Sequence, residues 1–153
     1  MPASRDQSTR ATAEKLADIL TVLQRRFLMN LSKELARGNV SFPQYFLLGF
    51  LSQHQTLSMS EIAKKMGHTT AAATGLVDRL ETLAYVKRAH STDDRRKIMV
   101  QITREGASLV GQIREDVTGN ILKIFELLTP AERVAWLHIY EKIFTFCESC
   151  KTK

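Results

Sequence analysis

The sequence predicts a mainly α-helical protein with one small β-hairpin, in the order α-α-α-α-β-β-α-α. Three observations support this fold class. Apolar residues recur at spacings of three and four over most of the chain, which is the period of a helix that buries one face. The period changes between residues 86 and 103, where two short strands are indicated. Only three prolines and seven glycines occur, so few positions interrupt helices.

Length and composition limit the class of protein. A chain of 153 residues is typical of one domain, and we predict a single domain over residues 1–153. The longest apolar run has seven residues, which is too short to cross a membrane. The polar N-terminus predicts no secretory signal, and two cysteines make no disulfide framework, so a cytoplasmic protein with no membrane partner is expected. The net charge of +6 favours an anionic partner.

The first two helices are delimited by local signals. Residues 1–11 are polar and are expected to fray, and a helix is predicted over 12–37, where apolar residues take helical spacing. Gly38 suits its C-terminal cap. Pro43 suits the first turn of a second helix, which is apolar on all sides and is therefore expected to be deeply buried.

The third and fourth helices form a compact pair. Ser58 and Glu61 open a short helix that stops at Gly67, and a further helix is predicted from Thr70 to about Ala84. Two short helices joined by a tight turn that contains glycine fit a helix-turn-helix.

A hairpin and two long helices complete the chain. Strands are predicted over 86–90 and 97–103, around a polar loop at 91–96. Helix is predicted again over 105–128. Thr129, Pro130 and Glu132 then form a restart signal for a last helix to about Cys147.

The hairpin makes the helix-turn-helix more informative. Arg95, Arg96 and Lys97 follow one another at its tip, and Lys87 and Arg88 precede the tip. A helix fits the major groove of DNA, and a projecting arginine fits the narrow minor groove. The residues therefore indicate a two-part DNA-binding surface, although a basic turn that merely solvates a hairpin tip remains the alternative.

Four segments in this order resemble the multiple antibiotic resistance regulator (MarR) family of winged-helix transcription factors. They are SFPQYFLLGFL, LSMSEIAKKMG, GLVDRLETLAYVKR and DDRRKIMVQITREG, and the resemblance covers roughly residues 15–148. It implies a homodimer that binds double-stranded DNA at a pseudo-palindrome, most often as a repressor. Residues 41–103 would form the winged-helix lobe, while 12–40 and 104–150 would form the dimerisation helices.

The resemblance also implies individual contacts with DNA. Asp94 and Arg96 match the Asp-x-Arg of the family's wing tip, where the arginine enters the minor groove. The remaining expected DNA-binding residues lie on the recognition helix or on the wing: Thr69, Thr70, Ala71, Ala72, Thr74, Arg79, Arg88, Arg95 and Lys97. Two departures stand out. Gly75 replaces a common Arg or Lys, so base readout is expected to be weak or biased to A·T pairs. Ala84-Tyr85 replaces the usual Gly-Leu at the helix end.

Regulation leaves alternatives open. Arg26, Phe27, Phe46 and Phe50 are candidates to bind a small aromatic or anionic effector that relieves repression, although the aromatic residues could be plain core. Cys147 and Cys150 could instead form a redox switch. A winged-helix protein-interaction module without DNA function is the competing hypothesis. No catalytic constellation, metal site or cofactor is predicted.

Overall fold

The computed structural model describes residues 3–91, 94 and 97–150, apart from the side chains of residues 3–6 and 150. Six helices and three strands occur in this part of the chain: α1 (Ala3–Arg37), α2 (Phe42–His54), β1 (Thr56–Ser58), α3 (Met59–Met66), α4 (Thr70–Thr82), β2 (Val86–His90), β3 (Ile98–Ile102), α5 (Arg104–Phe125) and α6 (Pro130–Cys150). The predicted fold class, a helical protein with a winged helix-turn-helix, is confirmed.

Two compact units make up the chain. The first spans Met1–Ile113 and the second spans Arg114–Lys153. The first unit contains the helix-turn-helix and the sheet, and the second contains the end of α5 and all of α6. The candidate DNA-binding residues all belong to the first unit.

The sheet has three strands instead of the predicted two. All neighbours are antiparallel, in the order β1-β3-β2, and Val100 of β3 lies opposite Leu57 on one side and Arg88 on the other. Strand β1 has only three residues, so it is too short to show an alternating pattern. The hairpin is therefore anchored at its central strand to the segment between α2 and α3.

The core of the first unit lies between the helix-turn-helix and the sheet. Leu47, Leu48 and Leu51 of α2 are fully buried. The prediction that α2 is buried on all sides is wrong at Phe46, whose side chain is 55% exposed. Further core residues come from the elements around α2: Leu35, Leu57, Ile62, Val77, Leu80, Val86, Val100, Leu109 and Ile113.

Helix α1 begins earlier than predicted. It is helical from Ala3, so the expectation that residues 1–11 fray is wrong for the part that the structure describes. Polar side chains support these turns, since Arg10 pairs with Glu14 at 3.0 Å and the Thr12 hydroxyl donates to the Ser8 carbonyl. A polar segment without an apolar stripe was not expected to form helix, but polar side-chain pairs four residues apart stabilise a solvent-exposed helix.

In the second unit, a corner separates α5 from α6. Helix α5 ends at Phe125, earlier than predicted, and the guanidinium of Arg133 donates to the carbonyls of Phe125 and Leu128. Glu132 accepts from both the backbone and the hydroxyl of Thr129, which confirms the predicted restart signal. Helix α6 continues past Cys147 to Cys150.

Candidate nucleic-acid interface

The turn between α3 and α4 is fixed by caps at both of its ends. Ser58 and Glu61 form a capping box at the start of α3, and Gly67 ends that helix in the left-handed conformation with φ of 63°. The Thr69 hydroxyl accepts from the backbone N–H of Ala72 at 3.3 Å and so caps α4. These caps hold the start of α4 at a defined angle to α3.

Helix α4 has one buried face and one exposed face. Ala73, Val77 and Leu80 are fully buried against the core. The expected DNA-binding residues lie elsewhere on the helix, with Thr74 half-buried and the others exposed: Thr69, Thr70, Ala71, Ala72 and Arg79. The start of α4 can therefore enter a groove without disturbing the core.

The exposed face of the first turns of α4, from Thr70 to Gly75, offers few hydrogen-bonding groups. The hydroxyl of Thr74 donates to the carbonyl of Thr70 at 2.8 Å, within the helix itself. A Cβ built on Gly75 would meet no atom within 4 Å among the residues described. Small and methyl-bearing side chains thus dominate this face, which suits contact with thymine methyl groups.

The junction between α4 and β2 uses a strained residue. Ala84 has φ of 60°, a left-handed conformation, at the position where the expected glycine is absent. Its carbonyl accepts from the Thr103 hydroxyl at 2.7 Å, and the Tyr85 carbonyl accepts from the Thr103 N–H at 3.0 Å. The helix therefore ends close to the predicted place, because the start of α5 holds the turn.

The wing is described on both sides of its tip. Strands β2 and β3 pair from Val86 opposite Ile102 to His90 opposite Ile98. Lys97 is exposed, and its N–H donates to the carbonyl of the half-buried Asp94 at 2.9 Å. Arg95 and Arg96, the cations expected to lead the wing, lie outside the described residues.

Arg88 is engaged within the protein. Its guanidinium donates through Nη2 to Asp78 at 2.5 Å and through Nη1 to Glu81, and its backbone N–H donates to Glu81 at 3.1 Å. Burial alone would lower the pKa of Arg88, but the hydrogen bonds that it donates to the two carboxylates, together with their negative charge, outweigh burial and raise the pKa. The sequence offered no signal for Asp78 and Glu81 as partners, because the ion pairs cross from a helix to a strand.

The predicted effector residues are not brought together by any contact that the structure shows. Phe27 is exposed on α1, and Arg26 beside it is also exposed. On α2, Phe46 lies near Tyr45, whereas Phe50 carries the Lys65 ammonium 5.7 Å from its ring centroid. An open depression along α1 is lined by other residues: Thr21, Gln24, Arg25, Leu28, Met29 and Ser32.

Large apolar side chains are exposed in both units. On α1 they include Leu16, Ile19, Leu20, Leu23, Phe27 and Leu28. The second unit exposes Ile121, Leu122, Val134, Leu137, Tyr140, Ile143, Phe144 and Phe146. Exposed apolar surface of this extent marks an association site.

The remaining predictions concern groups outside this surface. Cys147 is exposed on α6, while the side chain of Cys150 lies outside the description. Within the described residues, no group of three His, Cys, Asp or Glu side chains could hold a metal ion. None of the helices described is both long and apolar enough to cross a membrane.

Comparison with known proteins gives three relevant matches beside a family model. The model described as MarR family matches residues 39–97. The HTH-type transcriptional regulator YfiV of Bacillus subtilis is 40% identical over 103 residues, which span 67% of this chain and 62% of that protein. The HTH-type transcriptional repressor MdtR of the same organism is 29% identical over 88% of each chain. These relatives are named as regulators, which confirms the prediction that the chain is not an enzyme.

A solved structure matches the fold over most of the chain. The complex of MepR from S. aureus with DNA gives a TM-score of 0.71 at 20% identity, over 82% of this chain and 95% of that one. At this level of identity the match concerns the fold alone.

Proposed function

The chain belongs to the MarR family, and from this premise we propose that it is a transcriptional regulator that binds specific double-stranded DNA as a homodimer. The observation that carries the proposal is the division of α4 into a buried face and an exposed face. Ala73, Val77 and Leu80 attach the helix to the core, while Thr70 to Ala72 stay accessible. A helix held in this way presents its first turns to the major groove.

The wing extends this surface to the minor groove. Lys87 is exposed on β2, and Lys97 is exposed just before β3. Arg95 and Arg96 stand between those strands in the sequence, so this segment concentrates positive charge, as phosphate contact and minor-groove binding require. MepR, which shares the fold, was solved in complex with DNA, and this supports the proposal that the present chain binds DNA. Residues 41–103 are thus the proposed DNA-binding lobe.

The terminal helices are the proposed dimerisation region. The exposed apolar side chains of α1 and of the second unit provide the surface that residues 12–40 and 104–150 would bury against a second copy. A two-fold dimer reads a pseudo-palindrome whose half-sites lie about one helical turn, roughly 10 bp, apart. The proposed location is the cytoplasm, where the DNA of a bacterial regulator lies.

Repression relieved by a small ligand is the finer part of the proposal. MdtR is named as a repressor, which favours that sign of regulation. Arg26, Phe27, Phe46 and Phe50 remain the candidate effector residues, because aromatic rings, two of them exposed and that of Phe50 half-buried, and a guanidinium suit a small aromatic anion. A switch at Cys147 and Cys150 is the alternative, and peroxide release of DNA by wild type but not by a Cys147→Ser/Cys150→Ser variant would establish it.

The test is selection of binding sites from random duplexes, followed by titration at stated salt. We expect a pseudo-palindrome and, for about eight phosphate contacts, a log–log salt slope near −7. Arg96→Ala should weaken specific binding by on the order of 1–3 kcal/mol while the dimer stays intact. Absence of any sequence preference would favour the protein-interaction module instead.

A further inference from the structure

Two carboxylates lie on the proposed DNA-binding helix, although DNA is an anion. Asp78 and Glu81 are three residues apart on α4, so their side chains share one side of the helix. Asp78 is 58% exposed and Glu81 is 38% exposed. Carboxylates beside a bound phosphate backbone lower affinity. Their presence on this surface therefore indicates a role other than contact with DNA.

Both carboxylates are used by one residue of the wing. Arg88 of β2 donates one arm of its guanidinium to Asp78 and the other arm to Glu81. Glu81 also accepts from the backbone N–H of Arg88, so it holds both the main chain and the side chain of the strand. The planar fork of arginine is suited to bridge two acceptors, and the point charge of lysine is not.

The guanidinium of Arg88 is poorly accessible to DNA. Its side chain is only 25% exposed, and one cation faces two anions, so the cluster as a whole is negative. Arg88 lies opposite Val100, the residue that is central in the sheet. The bridge thus joins the middle of the wing to the last two turns of α4.

We propose that Arg88 is a positioning residue for DNA recognition, which rests on the proposed function: by bridging Asp78 and Glu81 it fixes the angle between the wing and the recognition helix. The major-groove and minor-groove contacts are made by different elements, so both form together only when this angle matches the DNA. Loss of the bridge therefore weakens DNA binding because the wing no longer meets the minor groove, although Arg88 itself does not contact DNA.

The sharpest test neutralises the two carboxylates that accept from Arg88 and leaves Arg88 in place. Asp78→Asn combined with Glu81→Gln removes negative charge, which by electrostatics alone strengthens DNA binding. The bridge predicts the opposite, a loss of about tenfold in affinity for the selected site, since coupled networks commonly have effects of this size. Glu115→Gln combined with Asp116→Asn controls for the change in net charge, because it removes the same two carboxylate types from exposed positions of α5. These positions lie in the proposed dimerisation region, so sedimentation must first show that the control is dimeric. The control should bind as tightly as wild type or slightly more tightly.

A second variant separates positioning from direct contact and from loss of folding. Arg88→Lys keeps the charge but not the fork, so it should also bind more weakly, whereas a phosphate contact would tolerate lysine. In an Arg96→Ala background, Arg88→Lys should add little further loss, because the wing contact that it positions is already gone. Circular dichroism and sedimentation check that each variant is folded and dimeric.

The outcomes are distinct. If wild type shows no sequence preference, the proposed function fails before Arg88 is tested. If wild type binds specifically and the acceptor variant binds as well or better, Arg88 contacts DNA directly and the positioning role is overturned. Full additivity of Arg88→Lys with Arg96→Ala overturns it as well.

Discussion

Ala84 shows how one residue can hold a conformation that its side chain disfavours. Its φ of 60° is unfavourable for any residue with a Cβ, and two hydrogen bonds from Thr103 to the turn hold it there. We expect Ala84→Gly to raise the free energy of unfolding by about 1 kcal/mol, because glycine adopts this region without strain.

Ala135→Gly is the control for this prediction. Ala135 lies in the interior of α6, where glycine should lower stability by about 1 kcal/mol. Urea denaturation of both variants measures the difference. Equal destabilisation by both glycines would contradict the role assigned to the φ of Ala84.

Two glycines of α5 differ sharply in their surroundings. A Cβ on Gly106 would lie 2.2 Å from the Tyr85 carbonyl oxygen, whereas a Cβ on Gly111 would meet no described atom within 4 Å. Gly106→Ala should therefore destabilise the protein by roughly 1–3 kcal/mol through backbone displacement. Gly111→Ala should stabilise it by about 0.5–1 kcal/mol, because alanine is the better helix former. Thermal unfolding of the two variants checks the opposite signs.

At the level of secondary-structure elements, the N-terminal cap of α3 makes the stability of the protein depend on pH. The hydroxyl and the backbone N–H of Ser58 donate to Glu61 and hold the pKa of that carboxyl below its ordinary value of 4.5. The cap's contribution to the free energy of unfolding is fully present above the pKa that Glu61 has in the unfolded chain. It is lost as the pH falls through the lower pKa that Glu61 has in the folded protein.

The measurement compares wild type with Glu61→Gln. We expect the variant to be less stable near neutral pH, and the difference in free energy of unfolding should shrink once the pH drops below about 4.5. Urea titrations at several pH values give that difference. A gap that stays constant down to pH 3 would show that Glu61 does not titrate as a cap.

Local signals made most elements predictable, and long-range contacts account for what was missed. Ser58, Gly67 and Thr129 mark helix ends through hydrogen bonds to residues within a few positions. Such local signals can be read from the sequence alone. Strand β1 depends on pairing with β3, and the partners of Arg88 depend on the approach of a helix to a strand. Spacing along the chain cannot show contacts of this kind. The effector residues stay a prediction for the same reason, because their proximity depends on how side chains of α1 and α2 approach each other.

At the scale of the whole molecule, the exposed apolar residues predict the state of association. Leu137 and Phe144 are seven positions apart on α6, so they lie on one side of the helix. Their exposed fractions are 62% and 67%. Leu137→Glu or Phe144→Glu should convert the dimer to a monomer, because burial of an unpaired charge in an interface is strongly unfavourable.

Sedimentation velocity at micromolar concentration measures this change. Lys142→Glu is the control, since position 142 lies about 140° around the helix from Leu137. It should remain dimeric. A wild-type protein that sediments as a monomer would refute the assignment of these helices to dimerisation.

The short strand β1 has a consequence for the order of events during synthesis. Thr56 pairs with Gln101, so β1 reaches the ribosome exit long before its partner strand. The two positions are 45 residues apart, so at about 5–20 residues per second β1 waits on the order of several seconds for β3. During that interval the nascent chain already has its recognition helix but not the sheet that anchors the wing. The proposed DNA-binding lobe is thus completed only after the hairpin has emerged.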